Sequence, residues 1–206
     1  MREIAIIDYG MSNIDSVARA VEKLGASPLI TDISHEVAQA DGIILPGVGS
    51  FADAMKELTS RDDLIPTIKN RVQTHGTPFL GICLGMQLMA TTGYEGGKTS
   101  GLDLIPGTIR RLEPVIAEER IPHVGWNEVN QLTTSPLFHE VADNLDFYFV
   151  HSYHFQCDPQ YVLAQTPYCG GFTSVVGKDV CFGVQFHPEK SLKSGTRILT
   201  NFISLC

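Results

Sequence analysis

Short unbroken apolar runs alternate with amphipathic stretches through the first hundred residues. The runs EIAIID (3–8), SPLIT (27–31), DGIILPG (41–47) and PFLGIC (78–83) predict strands, the first suited to burial on both faces. Between them lie helical patterns. Ser12 or Asn13 can cap a helix that places Val17, Ala18, Val21 and Leu24 on one stripe and ends at Gly25. FADAMKEL (51–58) reads as a second helix. DDLIPTIKNRVQTHG (62–76) reads as a third, capped by Asp62 or Asp63, with Leu64, Ile65, Ile68 and Val72 inward and Pro66 confined to its first turn. LGMQLMATT (84–92) predicts the helix that follows PFLGIC.

From about residue 100 the rhythm changes to strands separated by turn residues: GTIRRLEPV, NLDFYFVHSYHFQC, YVLAQT, FTSVV and VCFGVQF. SGTRILTNFISL closes the chain as an amphipathic helix burying Ile198, Leu199, Phe202 and Ile203. The expected fold is α/β: an open mixed, mostly parallel sheet flanked by helices, with a partly antiparallel C-terminal half. With no linker, repeat or low-complexity segment, residues 1–206 read as one domain.

Composition narrows the function classes. Hydrophobic residues make up 43% and charged residues 18%, as in a soluble globular protein. A net charge of −8 without Lys/Arg clusters argues against nucleic-acid binding. No signal peptide and no membrane-spanning run is read. The five cysteines at 83, 157, 169, 181 and 206 form no CxxC pair, which reads as reduced thiols in a cytoplasmic protein with neither disulfides nor zinc.

Three segments at strand ends carry candidate chemistry, because α/β sheets gather function beyond the carboxyl ends of their strands. PGVGSFA (46–52) matches G-x-G-x-x-A but follows a later strand and lacks the usual downstream acid; it reads as a tight turn, an anion-stabilising nest or a nucleotide loop. GICLGMQ (81–87) follows the logic of a nucleophile elbow: Cys83 on a sharp turn, Gly81 and Gly85 giving room, and the Leu84 N–H beside a developing oxyanion. The alternative is a buried packing cysteine. GVQFHPEK (183–190) offers His187 and Glu189, which project to one side if the segment is extended, or are an ordinary surface pair. Cys83, His187 and Glu189 together would make a base-activated thiol with an oriented base. His151 and His154 face opposite sides on one strand, so no metal site is expected.

GICLGMQ and FHPEK resemble the nucleophile and His-x-Glu motifs of class I (triad) glutamine amidotransferases. More narrowly, IAIIDYGMSNIDSV, LPGVGSF, PHVGWN (122–127) and YFVHSYH (148–154) resemble the glutaminase subunits of imidazole glycerol phosphate synthases, over essentially the whole chain. The resemblance implies a flavodoxin-like amidotransferase fold and a cofactor-free glutaminase that hydrolyses L-glutamine through a thioester. Its ammonia would pass to a (β/α)8-barrel cyclase partner in a heterodimer, for histidine biosynthesis. By the same resemblance Cys83, His187 and Glu189 are the triad, and Leu84, Gly47 and Val48 supply the oxyanion donors. Gln87, Glu95, Ser152 and Tyr153 contact glutamine, and Pro122, His123, Gly125, Trp126 and Asn127 face the partner. The chain departs from the family pattern at TGYEGG, which lacks a second acid before Glu95-Gly96, at Asp103 in place of a common glycine, and at Val124 in place of Met. A stand-alone cysteine hydrolase or peptidase, a nucleotide-binding module and a non-catalytic amidotransferase-like subunit are the competing readings.

Overall fold

The computed structural model describes residues 1–206. The first half runs β1 (Glu3–Ile7), α1 (Ile14–Lys23), β2 (Ser27–Thr31), α2 (Ser34–Val37), β3 (Gly42–Gly47), α3 (Phe51–Thr59), α4 (Leu64–Gln73), β4 (Phe79–Cys83) and α5 (Leu84–Leu88). The second half runs β5 (Thr92–Gly93), β6 (Thr99–Ser100), β7 (Gly107–Arg111), β8 (His123–Gln131), β9 (Leu145–His151) and β10 (Tyr153–Cys157). It ends with β11 (Val162–Thr166), β12 (Phe172–Lys178), β13 (Cys181–Val184) and α6 (Leu192–Leu205).

The sheet orders these strands β2-β1-β3-β4-β13-β12-β10-β7-β5-β6, with β11, β8 and β9 branching from β12. Pairing is parallel from β2 through β13 and antiparallel from β13 to β12 and on to β10 and β7, with a short parallel β7–β5 pair beyond, so the last strand enters the parallel half beside β4. Side-chain alternation explains the two-sided burial. Ile4 and Ile6 of β1 pack with α1 and α6, while Ala5 and Ile7 pack on the opposite face with α3 and α4. No helix is long and apolar enough to cross a membrane.

Three local expectations change. The 144–157 run is two strands, broken at Ser152, so β9 pairs with β8 whereas β10 pairs with β7 and β12. The helix after β4 stops at Leu88, because the carbonyls of Leu88, Met89 and Ala90 accept from the N–H groups of Leu102, Leu104 and Asp103 instead of continuing the helical ladder. PHVGWN lies at the start of β8, a strand its mixed composition does not advertise. Asn13 and Asp63 occupy N-cap positions without a side-chain cap hydrogen bond, while Ser50 caps α3 through the Asp53 N–H.

Candidate active site

β4 passes into α5 with no intervening loop, and Cys83 takes the whole bend, at φ 55° and ψ −110°. A non-glycine residue there is strained, so surrounding contacts must hold it. Two glycines make those contacts available. A Cβ on Gly81 would lie 2.7 Å from the Gly85 carbonyl oxygen and the Met86 nitrogen; one on Gly85 would collide with the Leu45 carbonyl of β3. The elbow is therefore clamped between β3 and its own helix.

Its thiol opens on a cavity of about 290 Å³. Val48, Leu84, Gln87, Glu95, Ser152 and Tyr153 line this cavity, with Pro122 at its edge. Gly49, Val150 and His151 complete the wall. The Cys83 sulfur stands 3.8 Å from the Val150 carbonyl oxygen and 3.7 Å from Gln185 Nε2, both hydrogen-bonding distances for sulfur.

His187 and Glu189 come from the segment after β13, the strand beside β4, which brings both to the elbow. They are not extended: a tight helical turn at Pro188–Lys190 folds Glu189 back so that His187 Nδ1 and Glu189 Oε1 stand 2.8 Å apart, with both side chains buried. The backbone is fixed from two sides. The His187 N–H donates to the Tyr148 carbonyl, and the Ser191 hydroxyl donates to the His187 carbonyl while accepting from the Tyr148 N–H. Burial alone would depress the His187 pKa, but Cys83 and Glu189 beside it more than reverse this and raise it to about 9. The imidazole is thus charged at neutral pH, with Nδ1 committed to Glu189 and Nε2 uncommitted.

The remaining predicted residues divide. The Val48 N–H donates to the Met11 carbonyl at 2.9 Å and is engaged there. Gly47 lies opposite Cys83 in the β3–β4 register, packed against the buried Tyr9 hydroxyl, and is not part of the cavity wall. Gln87 donates through Nε2 to the Tyr153 carbonyl at 2.9 Å and to Gln185 Oε1 at 3.1 Å, so both its amide protons are engaged. Glu95 accepts the Phe51 N–H at the start of α3 through one oxygen. On β8, Val124 and Trp126 point outward and are half exposed, but His123 points inward. It sits among Phe149, Tyr168 and Phe172, and burial lowers its pKa to about 4. Asn127 hydrogen-bonds His123 Nε2, and Gly125 separates the two outward side chains at φ 141°.

Gln185 was not singled out by sequence reasoning and His151 was weighed only as a metal ligand, although both touch this site. The signal for Gln185 was present: on an alternating strand, a residue two before His187 shares its side.

Comparison with known proteins gives a consistent picture. A family profile described as glutamine amidotransferase class-I matches residues 5–205. An "Imidazole glycerol phosphate synthase subunit HisH" of Moorella thermoacetica is 46% identical over 98% of this chain and 94% of the relative. An "Imidazole glycerol phosphate synthase subunit HisH 1" of Campylobacter jejuni is 44% identical over 98% of this chain and 100% of the relative. A solved structure described as a glutamine amidotransferase, 17% identical, superposes with TM-score 0.75 over 98% of this chain and 97% of that one, which speaks for the fold.

Proposed function

The chain belongs to the class-I glutamine amidotransferases, and from that premise we propose that it hydrolyses L-glutamine and delivers the ammonia to the (β/α)8-barrel cyclase subunit of imidazole glycerol phosphate synthase. The two act in histidine biosynthesis as a cytoplasmic heterodimer; the five free cysteines fit a reducing compartment. The observation that carries the reading is Cys83 on its strained elbow beside the buried His187–Glu189 pair.

With the thiol proton already resting on His187 Nε2, the Cys83 sulfur attacks the carboxamide carbon of glutamine. The Leu84 N–H, next after the nucleophile, receives the developing oxyanion. The charged His187 gives its proton to the amide nitrogen, so ammonia leaves and a glutamyl thioester remains. A water then loses a proton to His187, attacks the thioester, and glutamate departs with the thiol restored. Glu189 keeps Nδ1 protonated, which holds Nε2 toward the sulfur. Glu95 has one oxygen free for the α-ammonium of glutamine, and Ser152 and Tyr153 line its path. Gln87 retains only its carbonyl oxygen for substrate.

The committed Val48 N–H leaves the second oxyanion donor to be released, and losing one such donor costs a factor of roughly 10²–10³ in rate. Val48 and Val150 at the cavity, with Val124 and Trp126 on the adjoining strand, are exposed apolar side chains and suit a partner that seals it. Glutaminase assays of the chain with and without the cyclase and its ligand test the proposal. Strong stimulation by the partner, abolished in Cys83→Ala, is expected; full partner-free turnover, or glutamate release by Cys83→Ala, would overturn it.

A further inference from the structure

We propose that Gln185 is a further residue of the nucleophile site: its side-chain amide donates a hydrogen bond to the Cys83 sulfur and stabilises the thiolate, and Gln87 holds that amide in the donating orientation. The inference rests on the glutaminase reading for its consequence in turnover, though not for the contact itself.

Gln185 is fully buried just past the end of β13, its backbone N–H fixed to the Ser174 carbonyl at 2.8 Å. A buried amide must satisfy both ends. Here the orientation follows from a fixed acceptor. The Tyr153 backbone carbonyl can only accept, so Gln87 must turn its NH2 group toward it. The second proton of that NH2 then meets Gln185, which must present its oxygen. The Gln185 NH2 is left facing Cys83, 3.7 Å from the sulfur. His151 joins the same anchor, its Nδ1 standing 2.9 Å from the Tyr153 carbonyl, so that carbonyl receives two donors.

The contact matters because of what else faces the sulfur. The Val150 carbonyl at 3.8 Å accepts from a thiol but repels a thiolate. When the proton leaves for His187, this acceptor loses its donor, and the Gln185 N–H is the neutral group that offsets it. The titratable groups around Cys83 are His187 and Glu189 from the turn after β13, His151 from β9, Tyr9 after β1, and Glu95 and Tyr153 on the cavity wall. His151 is held neutral by burial, with its pKa at about 3, and burial together with Cys83 keeps Tyr9 protonated. His187 is therefore the only cation in the set, and Gln185 the second source of positive potential at the sulfur.

Alkylation of Cys83 by iodoacetamide, followed by mass spectrometry of its peptide from pH 5 to 10, reads the thiolate directly in the intact chain. The thiolate displaces iodide and forms a carbon–sulfur bond. Burial raises the pKa of each of the other four cysteines, so they react later. Gln185→Met, close in volume and without a donor, should raise the midpoint by about one pH unit, a roughly tenfold slower reaction below it. Gln87→Met, which keeps the Gln185 donor but frees its orientation, should move the midpoint the same way by less, and it stands in if Gln185→Met does not fold. In the complex, Gln185→Met should lower kcat and leave KM for glutamine unchanged, because Gln185 is not part of the cavity wall. An unchanged or lowered midpoint in the folded variants overturns the donor role. A shift in Gln185→Met alone overturns the part given to Gln87. Alkylation needs neither glutamine nor the cyclase, so a chain without glutaminase activity would overturn the function and leave this result standing.

Discussion

Glu189→Gln keeps an acceptor for His187 Nδ1 and removes only a negative charge, which isolates the electrostatic part of the pair. The His187 pKa rises from 6.5 to about 9 on folding. At about 1.4 kcal/mol per pH unit, that is ~3 kcal/mol of linked stability, shared between Cys83 and Glu189. Because the folded pKa is the higher one, the folded state binds this proton more tightly than the unfolded chain. The contribution is complete below pH 6.5, declines between pH 6.5 and 9, and is absent above. Cys83 is the first of the two causes, so Glu189 is assigned on the order of 1–2 kcal/mol, as for a hydrogen bond involving a charged group. Urea unfolding of both proteins at pH 6 should show that difference, with a Tm lower by roughly 3–6 °C for a chain of this length. By pH 9.5 the difference should vanish or change sign, since the carboxylate then faces a neutral imidazole and its second oxygen has no partner. A difference that is equal at both pH values, or larger at pH 9.5, would refute the reasoning.

Gly85→Ala reverses the usual helix rule: alanine normally stabilises a helix interior by about 1 kcal/mol, but here its Cβ meets the Leu45 backbone carbonyl. Urea unfolding should show a loss of more than ~2 kcal/mol. Trp126→Ala removes a half-exposed ring set edge-on to Tyr148, so Tm should hold within about 1–2 °C. Titration calorimetry with the cyclase should show binding weakened ~30-fold or more, as for an aromatic interface anchor.

The parallel half of the fold was legible because its inner strands are covered on both faces and so read as continuous apolar runs; Ile4, Ala5, Ile6 and Ile7 are all buried. The antiparallel half was less so. Nothing in NLDFYFVHSYHFQC marks Ser152 as a break, because the chain there crosses from pairing with β8 to pairing with β7, and that depends on partners distant in sequence. The length of α5 was misread for the same reason: the carbonyls that end it are taken by residues 102–104.

The site divides along the same line. Cys83, His187 and Glu189 lie next to features that sequence exposes, the flanking glycines and the strand ends, and neighbouring positions of β4 and β13 bring them together. Hydrogen-bond capacity is different, since it is settled only when every partner is in place. Gln87 shows this most clearly. By type and position it can grip a carboxylate, yet both of its protons go to Tyr153 and Gln185. A carboxylate accepts only and cannot bond to the oxygen that remains, whereas an ammonium can. One side chain thus orients the neighbour of the nucleophile, and it does so because a single backbone carbonyl admits no other orientation.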